Sequence, residues 1–600
     1  MDFAVGAHVW IIVFRGFEKG IPMSAKNVTS SSLMGTALVG AVCCAAGQLQ
    51  AAEVLVTSNI AVSTTWTSNN TYNLQTQIYV LPGATLTIQP GTIIASTTNI
   101  GGSLAITRGA KIIAKGTQLD PIIFTSKADV ATWVAGNPQT GTWREAANEW
   151  GNLTLMGKAF ISDSQIAGNT KTPNANNTSP MEGLVPEFVG DPNTLYGGGN
   201  DNDDSGSLEY VSIRYTGKVI GLGNELNGLS LGGIGRETDI NHIDIMNNVD
   251  DGIEIWGGTV NIKYFNVWNI GDDSFDIDQG WRGKAQFGLI VQGHSLNAAQ
   301  GSGVGDNIFE TDGAEGSDAQ PVSTAVIHNV TAIGQPAPGA GDHGTAWRDN
   351  ARIQYRNSIF MDLGDRLVSF DNVDGDGGEG YGFNGTLSWP ATWTTAFSVF
   401  SPINAPGNPA AFYTAQTAGK LAQIVDSVIF RNLSANAYTE ANVVGVFLPA
   451  NNNVFVPGFD AADAPIQSIT RGPAVVKGGL TMLPVISLDP RPANEALTSV
   501  TMAPNDGFLT RVQYRGAFAA NENWLCGWTA ADAFGFNVAP PGGCEVVEPC
   551  LGDFNSDGVV GAADLAFLLG AWETPDGDLN GNNFTGPGDL AILLGAWGDC

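Results

Sequence analysis

Two twelve-residue segments near the C-terminal end of the chain carry oxygen-bearing side chains at regular intervals. A loop of this length can wrap a hard cation with side-chain oxygens from positions 1, 3, 5 and 12 and a backbone carbonyl oxygen from position 7. The residues at positions 1, 3, 5, 7 and 12 are Asp553, Asn555, Asp557, Val559 and Asp564 in the first loop and Asp578, Asn580, Asn582, Phe584 and Asp589 in the second. The spacing predicts two Ca2+ sites. We expect weaker binding at the second loop, because it has two side-chain carboxylates where the first has three.

Each loop is followed by the same apolar segment, and the whole unit occurs twice, with Asp578 in the second copy at the place of Asp553 in the first. Both Leu565–Trp572 and Leu590–Trp597 have the pattern Leu-Ala-x-Leu-Leu-Gly-Ala-Trp, which predicts one amphipathic helix after each loop. No helix-like pattern precedes either loop, so the units are not complete helix–loop–helix EF-hands. With both repeats intact across residues 550–600, the pair resembles a type I dockerin.

The dockerin resemblance implies a secreted protein that docks to a cohesin-like module on a scaffold or cell surface, a setting associated with polysaccharide breakdown. Dockerins commonly carry hydroxyl residues at loop positions 10 and 11, where they contact the cohesin. This chain has Ala562–Ala563 and Pro587–Gly588 there. Calcium-stabilised folding of the module is therefore the firmer expectation, and the docking partner stays open.

Carboxylates also recur in the middle of the chain at a nearly regular spacing. The aligned segments begin at Asn227, Asp251, Asp273 and Asn307, and the last interval is the longest, as a loop inserted around 295–304 would explain. Stacked coils with this spacing would place equivalent side chains about 4.8 Å apart, so the acids would form ladders. Three interpretations stay open: a catalytic carboxylate set, a cation site, or solvated corner residues that accept backbone N–H groups.

The catalytic interpretation depends on the order of three motifs. Polygalacturonase-like glycosidases carry Asn-x-Asp, Asp-Asp and Gly-His-Gly motifs on consecutive coils, and Asp251, Asp272, Asp273 and His294 occur here in a similar order. This resemblance implies that these four residues are catalytic in an inverting hydrolysis, where one carboxylic acid is protonated and another is an ionised base.

Three departures count against that resemblance. Val249 occupies the place of the Asn, Ser295 that of the last Gly, and Gln354 that of the Lys in the later Arg-x-Lys motif. The five histidines show no zinc-ligand spacing. Whether the chain is an enzyme, and then a glycoside hydrolase or a polysaccharide lyase, stays open.

Short alternating apolar segments predict the elements that would position these acids. Between the aligned corners lie second predicted strands at Ile240–Met246, Val260–Trp268, Ala285–Gln292 and Thr324–Ile333. A period of about 22 residues with two or three strands per period is typical of a parallel β-helix, whose coils share one core. Residues 75–380 resemble the pectate-lyase-like superfamily, which implies an all-β, right-handed parallel β-helix. The alternative, a β-sandwich array, would need antiparallel hairpin signals, which are sparse here.

An earlier repeat has a shorter interval. Segments 86–94 and 104–113 share a pattern that aligns Leu86 with Leu104 and Gly91 with Gly109. The alignment predicts that these strands are equivalent.

The first 52 residues predict a secretory signal. The apolar run Leu33–Ala46 follows Lys26, small residues at the Ala52 end fit a cleavage site, and translation is expected to start at Met23. The run is too short for a membrane span of about 20 residues. We therefore expect an exported protein without a membrane span.

Four cysteines remain after this segment, and an even number in an exported protein suggests disulfide bonds. Their spacing favours Cys526–Cys544 and Cys550–Cys600, although four cysteines allow three pairings.

The composition predicts a division of the chain into a β-helix at 53–380, an irregular capping region at 381–537, a linker at 538–549 and the dockerin-like module at 550–600. In the capping region, covering the open end of the β-helix is the first interpretation. Stacking of Trp524 or Trp528 on a carbohydrate is the alternative.

The charge balance excludes some classes of partner. The chain has 27 Lys and Arg against 58 Asp and Glu, a net charge of −31, which argues against a nucleic-acid or anionic-membrane surface. Three functions stay open: an extracellular polysaccharide-binding or surface-display protein, a polysaccharide hydrolase or lyase delivered by the dockerin, and a structural or adhesive cell-surface protein.

Overall fold

Parallel strands stacked in two long sheets form most of the molecule. The computed structural model describes residues 52–170, 172–221, 224–293, 305–316, 319–337, 343–370, 387–397, 412–433, 445–456, 460–477, 479–544, 551–554, 559–574, 577–579 and 584–599. The predicted signal segment, apart from Ala52, lies outside these residues.

One sheet has nine strands among the described residues, and every neighbouring pair is parallel. In spatial order, its strands are Gln77–Val80, Ser103–Ile106, Leu153–Met156, Leu229–Gly232, Ile253–Trp256, Phe275–Asp278, Phe309–Asp312, His343–Arg348 and Arg366–Phe370. Spatial order equals chain order, so each coil adds one strand beside the previous one. The molecule is therefore a parallel β-helix, and the β-sandwich alternative is wrong.

The second sheet has seventeen strands in the described part of the chain, and these also pair in parallel. The strands are Ala52–Val56, Thr64–Trp66, Asn70–Leu74, Thr85–Ile88, Ile93–Ser96, Lys111–Lys115, Ile122–Ser126, Gly206–Arg214, Asp239–Met246, Asn261–Trp268, Lys284–Val291, Val326–Ile333, Gln354–Arg356, Ile359–Met361, Gln423–Val425, Val428–Phe430 and Val454–Val456. The four predicted second strands are confirmed within two residues at each end.

The long strands of this sheet bend at one residue in the left-handed region. His242 has φ 51° and Tyr264 has φ 56°, and Tyr210 and Phe287 occupy the equivalent places in neighbouring coils. Their rings stack with centroid separations of 4.1, 4.4 and 5.0 Å. This packing offsets the cost of the left-handed backbone at non-glycine residues.

The core follows from the two-residue alternation of side chains along each strand. In Ile253–Trp256, the side chains of Ile253 and Ile255 are buried inside the coil, where they stack on Phe275 and Ile277 of the next coil. Glu254 lies between the two isoleucines and therefore points to the outer face of the same sheet. The nine-stranded sheet thus contributes to the core on one face and presents polar side chains on the other.

The predicted equivalence of Leu86 and Leu104 in the first coils is wrong. Leu86 pairs with Ile112, and Ile78 pairs with Leu104, so each coil here is longer than that alignment implies. Leu86 and Leu104 lie in different sheets. The alignment failed because strands of both sheets alternate apolar residues and end near a glycine corner, so one face of a coil resembles the other.

The parallel ladder also continues beyond residue 380. Gln423–Val425 pairs with Gln354–Arg356, Val428–Phe430 pairs with Ile359–Met361, and Val454–Val456 extends the second ladder. The expectation that the β-helix ends at 380 is therefore wrong, because aromatic- and proline-rich insertions mask the period in the later coils.

Residues 460–544 pack along the side of the β-helix instead of covering its end. Phe518, Trp524 and Trp528 join a buried cluster with Met246 and Phe430, which belong to coils far apart along the helix axis. Trp528 is 0% exposed, so its ring has no free face for a sugar, whereas Trp524 is 8% exposed and lines a cavity of about 380 Å3 with Tyr210, His242 and Tyr264. The carbohydrate-stacking alternative is therefore wrong for Trp528 and stays a prediction for Trp524, and residues 460–544 do not cover the end of the β-helix as the capping interpretation expected.

A disulfide bond joins Cys526 to Cys544, as the spacing predicts. Cys550 and Cys600 lie outside the described residues.

Short elements occupy the connections between the long ladders. The antiparallel pairs are Ser179–Pro180 with Leu195–Tyr196, Val219–Gly221 with Asn224–Glu225, Ile466–Arg471 with Val485–Pro492, Val475–Lys477 with Leu480–Met482, and Val559–Val560 with Gly598–Asp599. The α-helices are Lys127–Val130, Trp389–Thr392, Ala530–Ala533, Ala562–Gly570 and Pro587–Gly595. The 3-10 helices are Pro138–Thr140, Pro192–Thr194, Pro449–Asn451, Ala461–Asp463 and Asn494–Leu497. None of the helices in the described ranges is long and apolar enough to cross a membrane.

The last two helices form a small unit with internal symmetry. Leu568 and Leu593, which occupy equivalent places in the two repeats, are both fully buried in a cluster with Val560. The strand Val559–Val560 pairs with the segment after the second helix, and Thr585 makes equivalent hydrogen bonds with the segment after the first. Each loop is therefore tied to the chain that follows the other loop's helix.

Candidate acidic site and cation loops

A row of carboxylates runs across the outer face of the nine-stranded sheet. Strand register places Ser230 beside Glu254, Glu254 beside Asp276, and Asp276 beside Glu310. The sequence alignment predicted this row correctly. Because parallel register repeats each position in the next coil, an acid on the outer face faces another acid one strand spacing away.

The corners before these strands form a second row that is held by hydrogen bonds. The Asn227 Oδ1 accepts the N–H of Asp251 (3.2 Å), the Asp251 Oδ1 accepts the N–H of Asp273 (2.9 Å), and the Asp273 Oδ1 accepts the N–H of Asn307 (2.5 Å). Each corner side chain thus satisfies a backbone group of the following coil, so Asp251 and Asp273 have a structural role.

A long connection carries further acids to this face. Residues 157–170 and 172–205 fold over the sheet, and Met181 and Leu184 pack with Trp256 in a buried cluster. The Gly183 N–H donates to Asn224 Oδ1 at 2.7 Å, which ties the connection to the corner that contains Glu225. This packing brings Glu182 onto the acidic face.

The carboxylates converge closely enough to share a cation. Three overlapping groups have ligand oxygens that all lie within 4.8 Å of one another: Glu182 with Glu225 and Asp250, Asp250 with Asp251 and Asp272, and Asp251 with Glu254 and Asp276. We call these seven residues the acidic site. Oxygen donors alone are the ligand set that hard cations such as Ca2+ prefer.

Glu225 is the least accessible member of the acidic site. Its residue is 1% exposed, and its Oε2 has no hydrogen-bond partner in the described part of the chain. A buried carboxylate oxygen without a partner is costly, and a bound cation or proton would relieve that cost.

Burial and mutual repulsion raise the pKa values across the acidic site. Burial, with the charges of Glu182 and Asp272 nearby, raises the pKa of Asp250 to about 9. Burial raises the pKa of Glu182 to about 7, and burial with the charge of Asp273 raises that of Asp272 to about 7. Burial also raises the pKa of Asp276 to about 6.

Three further carboxyls have displaced pKa values. The pKa of Asp251 and that of Glu254 lie well above their ordinary values because of burial and neighbouring acids. Burial raises the pKa of Asp273 to about 6, and the Asn307 N–H it accepts and the charge of Arg348 oppose that rise. At neutral pH, several carboxyl groups of the acidic site would be protonated unless a bound cation replaced those protons.

Arg348 is the cationic neighbour of these rows. It forms ion pairs with Glu310 and with Asp312, the latter at 3.0 Å between Nε and Oδ1. Its charge lowers the pKa of Asp272 and that of Asp276, against the larger effect of burial. The positive charge therefore sits at one end of the acidic site.

The four sequence-predicted catalytic residues have different surroundings. Asp251 and Asp272 come together with Asp250 in the acidic site, and Asp273 uses one oxygen for the N–H of Asn307. His294 lies outside the described residues.

The spacing of the carboxylates bears on the reaction they could support. The carboxyl groups of an inverting glycosidase are separated by about 6.5–9.5 Å, which leaves room for a water. The oxygens of Asp250, Asp251 and Asp272 lie within 4.8 Å of one another, which fits a shared cation or proton better than an intervening water. Arg352, the arginine of the later Arg-x-Lys motif, is fully buried and donates to Asn350 Oδ1, so its side chain is engaged away from these carboxylates.

Sequence reasoning missed Glu182 and Glu225. Glu225 lies two residues before the aligned corner residue Asn227, so its position in the coil could have marked it. Glu182 lies in an irregular connection without any period, and only the packing of that connection places it.

The described parts of the C-terminal loops fit a cation-binding role. The buried Asp564 accepts the N–H groups of Phe554 and Gly561, each at 2.8 Å. The buried Asp589 accepts those of Leu579 and Gly586, also at 2.8 Å. In both repeats, the carboxylate at position 12 thus ties the start of the loop to the start of the helix.

Asp553, Val559, Asp578 and Phe584 are also described, whereas Asn555, Asp557, Asn580 and Asn582 lie outside the described residues. The oxygen-rich donor set fits a hard cation, and the described carboxylates would hold it from both ends of each loop.

A large part of the chain matches a known protein family. Residues 58–380, more than half of its length, match the model of the pectate-lyase-like β-helix domain. Neither the curated proteins nor the solved structures contain a match. The matched span includes every member of the acidic site and excludes the cation loops. On this match, the chain belongs to the pectate-lyase-like β-helix family.

Proposed function

We propose that the protein is a secreted, calcium-binding protein that associates with extracellular polysaccharide through its β-helix. The carrying observation is the family match over residues 58–380, which suggests a polysaccharide-related function. The acidic site lies on the outer face of that domain, where several carboxylates converge.

In this proposal the acidic site holds a divalent cation. Glu225, Asp250 and Asp251 would supply oxygens, and the cation would neutralise carboxylates that otherwise repel one another. A cation held at the surface can also accept oxygens from a saccharide, because Ca2+ takes six to eight oxygen ligands.

The C-terminal module has a separate role in the proposal. Its two loops would bind Ca2+ through Asp553, Asp564, Asp578 and Asp589, and the folded module would act as a dockerin that attaches the protein to a cohesin-like partner or cell-surface scaffold. The symmetric pairing of each loop with the segment after the other helix supports a fold that depends on both loops. Secretion in the proposal rests on the signal-like segment at residues 1–52.

A hydrolase or lyase is the second candidate. Several carboxyls of the acidic site have pKa values between about 6 and 9, so protonated and ionised forms coexist near neutral pH, as acid–base chemistry requires. A structural or adhesive protein without binding or turnover is the third candidate.

A glycan panel separates these candidates. Purified full-length protein is tested for binding to neutral and uronic-acid polysaccharides, and for release of reducing sugar or unsaturated ends. Asp250→Asn and Asp272→Asn are compared with Asp120→Asn, a control that neutralises an exposed acid at a distant corner.

Binding that is lost in both site variants and kept in the control supports the proposal. Turnover that is lost in Asp272→Asn and kept in the control establishes the enzyme. Absence of both binding and turnover across the panel contradicts the proposal and favours the structural candidate.

A further inference from the structure

A basic cavity lies on the β-helix away from the acidic site. Its volume is about 490 Å3, and its lining is Pro82, Arg108, Lys158, Pro192, Gly197, Gly198, Gly199 and Asn200. Both ionisable side chains in this lining are cationic, although the chain as a whole has 58 acids and 27 basic residues.

Neighbouring strands bring the two cations together. Arg108 follows Ser103–Ile106, Lys158 follows Leu153–Met156, and these strands are parallel neighbours in the nine-stranded sheet. The Lys158 ammonium lies over Gly109, since a Cβ built on that glycine would be 2.9 Å from Nζ. The two side chains therefore leave the sheet at the same edge.

Neither cation has an ion-pair partner among the described residues. Arg108 donates from Nη1 to the Gly197 carbonyl oxygen at 3.0 Å, and its buried Nε has no partner there. Burial lowers the pKa of Arg108, and the charge of Asp203 opposes that effect. The Asp203 Oδ2 already accepts the backbone N–H of Lys158 at 3.0 Å.

The cavity is also lined by the backbone of three consecutive glycines, Gly197, Gly198 and Gly199. Gly197 and Gly198 have φ values of 95° and 155°, and a Cβ on any of the three would approach another atom within 2.7 Å. The amides of Gly198 and Gly199 donate no hydrogen bond to a described residue. Both glycines line the cavity, where successive backbone N–H groups can donate to an anion, as they do in anion-binding concavities.

Three basic residues elsewhere on the β-helix contrast with this pair. Lys111, Lys127 and Arg282 each have a carboxylate within 2.7 Å. An exposed lysine without a partner is ordinary, because water solvates it. A buried guanidinium nitrogen without a partner, beside a second cation and accessible amides, indicates a missing acceptor.

We propose that this cavity binds an anionic substituent, a carboxylate or a sulfate ester, of an extracellular saccharide. The Arg108 guanidinium and the Lys158 ammonium would bind the anionic oxygens, and Gly198 and Gly199 would donate backbone hydrogen bonds to them. Pro82 and Pro192 would flank the sugar ring. The identity of the ligand as a saccharide rests on the proposed function, whereas the anion selectivity rests on the cavity itself.

Ligand-observed NMR on the full chain tests the proposal with three monosaccharides: galacturonate, galactose 6-sulfate and neutral galactose. We expect one or both anionic sugars to bind more tightly than galactose, and the stronger of the two identifies the carboxylate or the sulfate as the source. Lys158→Gln should weaken that binding about tenfold, which corresponds to about 1.4 kcal/mol.

Two variants protect the test against a folding defect. Arg108→Gln with Lys158→Gln should abolish selective binding, and Lys158→Gln alone changes only an exposed side chain. The control, Lys115→Gln with Lys127→Gln, removes two exposed charges elsewhere on the β-helix. It should bind the anionic monosaccharides as tightly as the wild-type protein does.

Binding of neither anionic sugar, or equal binding by Lys158→Gln, overturns the proposal. A second outcome is that the wild-type protein and the double variant both bind a polysaccharide, and that neither prefers the anionic monosaccharides to galactose. That result overturns the proposed anion site and leaves the proposed function standing. Selective binding of a monosaccharide that Lys158→Gln weakens, with no polysaccharide bound, supports the anion site and contradicts the proposed function.

Discussion

The acidic site and the cation loops contain the same chemical groups in two different arrangements. In the loops, Asp564 and Asp589 each accept two backbone N–H groups from residues no more than ten positions away. In the acidic site, Glu182 and Asp276 lie far apart in the chain, and Glu225 Oε2 has no partner in the described structure. The comparison shows that a local motif satisfies both oxygens of its carboxylate, whereas a site assembled by coil stacking brings several acids together and leaves Glu225 Oε2 without a partner in the described structure.

The largest expected effect is the response of the two regions to calcium removal. EDTA should unfold residues 551–600 at temperatures where the β-helix stays folded, because the module has a small core around Val560, Leu568 and Leu593 and the β-helix has a long one. At a calcium concentration of about 1,000 times Kd, the ligand contributes about 4 kcal/mol to the folded module.

Differential scanning calorimetry of the full chain measures this effect. The β-helix transition is the reference within the same scan, and it should shift by less than the module transition does. A module transition that stays at the same temperature with and without calcium contradicts the account of the loops.

The second effect is the pH dependence of the β-helix without divalent cations. The carboxyls of Asp250, Glu182, Asp272 and Asp276 have raised pKa values, so the folded state binds more protons than the unfolded state above about pH 4. Stability is therefore greatest below the unfolded pKa values and falls as the pH rises through about 6, 7 and 9.

Thermal melting at about pH 5, 7 and 9 in EDTA measures this slope. We expect the β-helix melting temperature to fall with pH, and Asp250→Asn and added calcium to reduce the fall. A melting temperature that rises over this range contradicts the raised pKa values.

The third effect concerns a single buried acid. Glu225→Gln removes a charge whose Oε2 lacks a described partner, so in EDTA at neutral pH it should stabilise the β-helix by about 1–2 kcal/mol. In saturating calcium, the same substitution should lose a cation ligand and give no stabilisation.

Glu187→Gln is the matched control, because Glu187 lies exposed in the connection that carries Glu182. Urea denaturation in EDTA and in calcium compares the two variants. Destabilisation by Glu225→Gln in EDTA would show that this carboxylate is already satisfied within the protein.

The smallest expected effect lies within the module. The first loop has three side-chain carboxylates and the second has two, so Asp564→Ala leaves two in its loop and Asp589→Ala leaves one, and the altered first loop should bind calcium more tightly than the altered second loop. Isothermal titration of the two full-length variants compares the sites. Equal residual affinities would show that the backbone geometry, which is shared by the repeats, decides affinity more than the carboxylate count does.

A region of this molecule could be predicted from the sequence when its contacts are close in the chain or repeat at a regular interval. The stacking of Glu254 on Asp276 follows from the regular repeat of the coils, and the disulfide between Cys526 and Cys544 follows from their proximity in the chain. The end of the β-helix was missed because insertions interrupt the period before Gln423–Val425. Glu182 was missed because its place depends on apolar packing of a connection without any repeat.

The side packing of residues 460–544 has the same cause. The aromatic residues of that segment predict burial, but they do not reveal which surface they cover. The outer face of the seventeen-stranded sheet presents Met246, Trp268 and Val291 at equivalent places in successive coils, and this apolar row packs in one buried cluster with Trp524 and Trp528. The apolar row spans several coils, so it becomes visible only once the strand register is known.

The most direct test of the central claim, that one chain holds cations in two separate ways, is a calcium titration of the full-length Asp564→Ala, Asp589→Ala double variant. With the loops disabled, we expect calcium binding to persist at the acidic site and to disappear when Glu225→Gln and Asp250→Asn are added. Loss of all calcium binding in the double variant would contradict the claim, because it would place every cation in the C-terminal module.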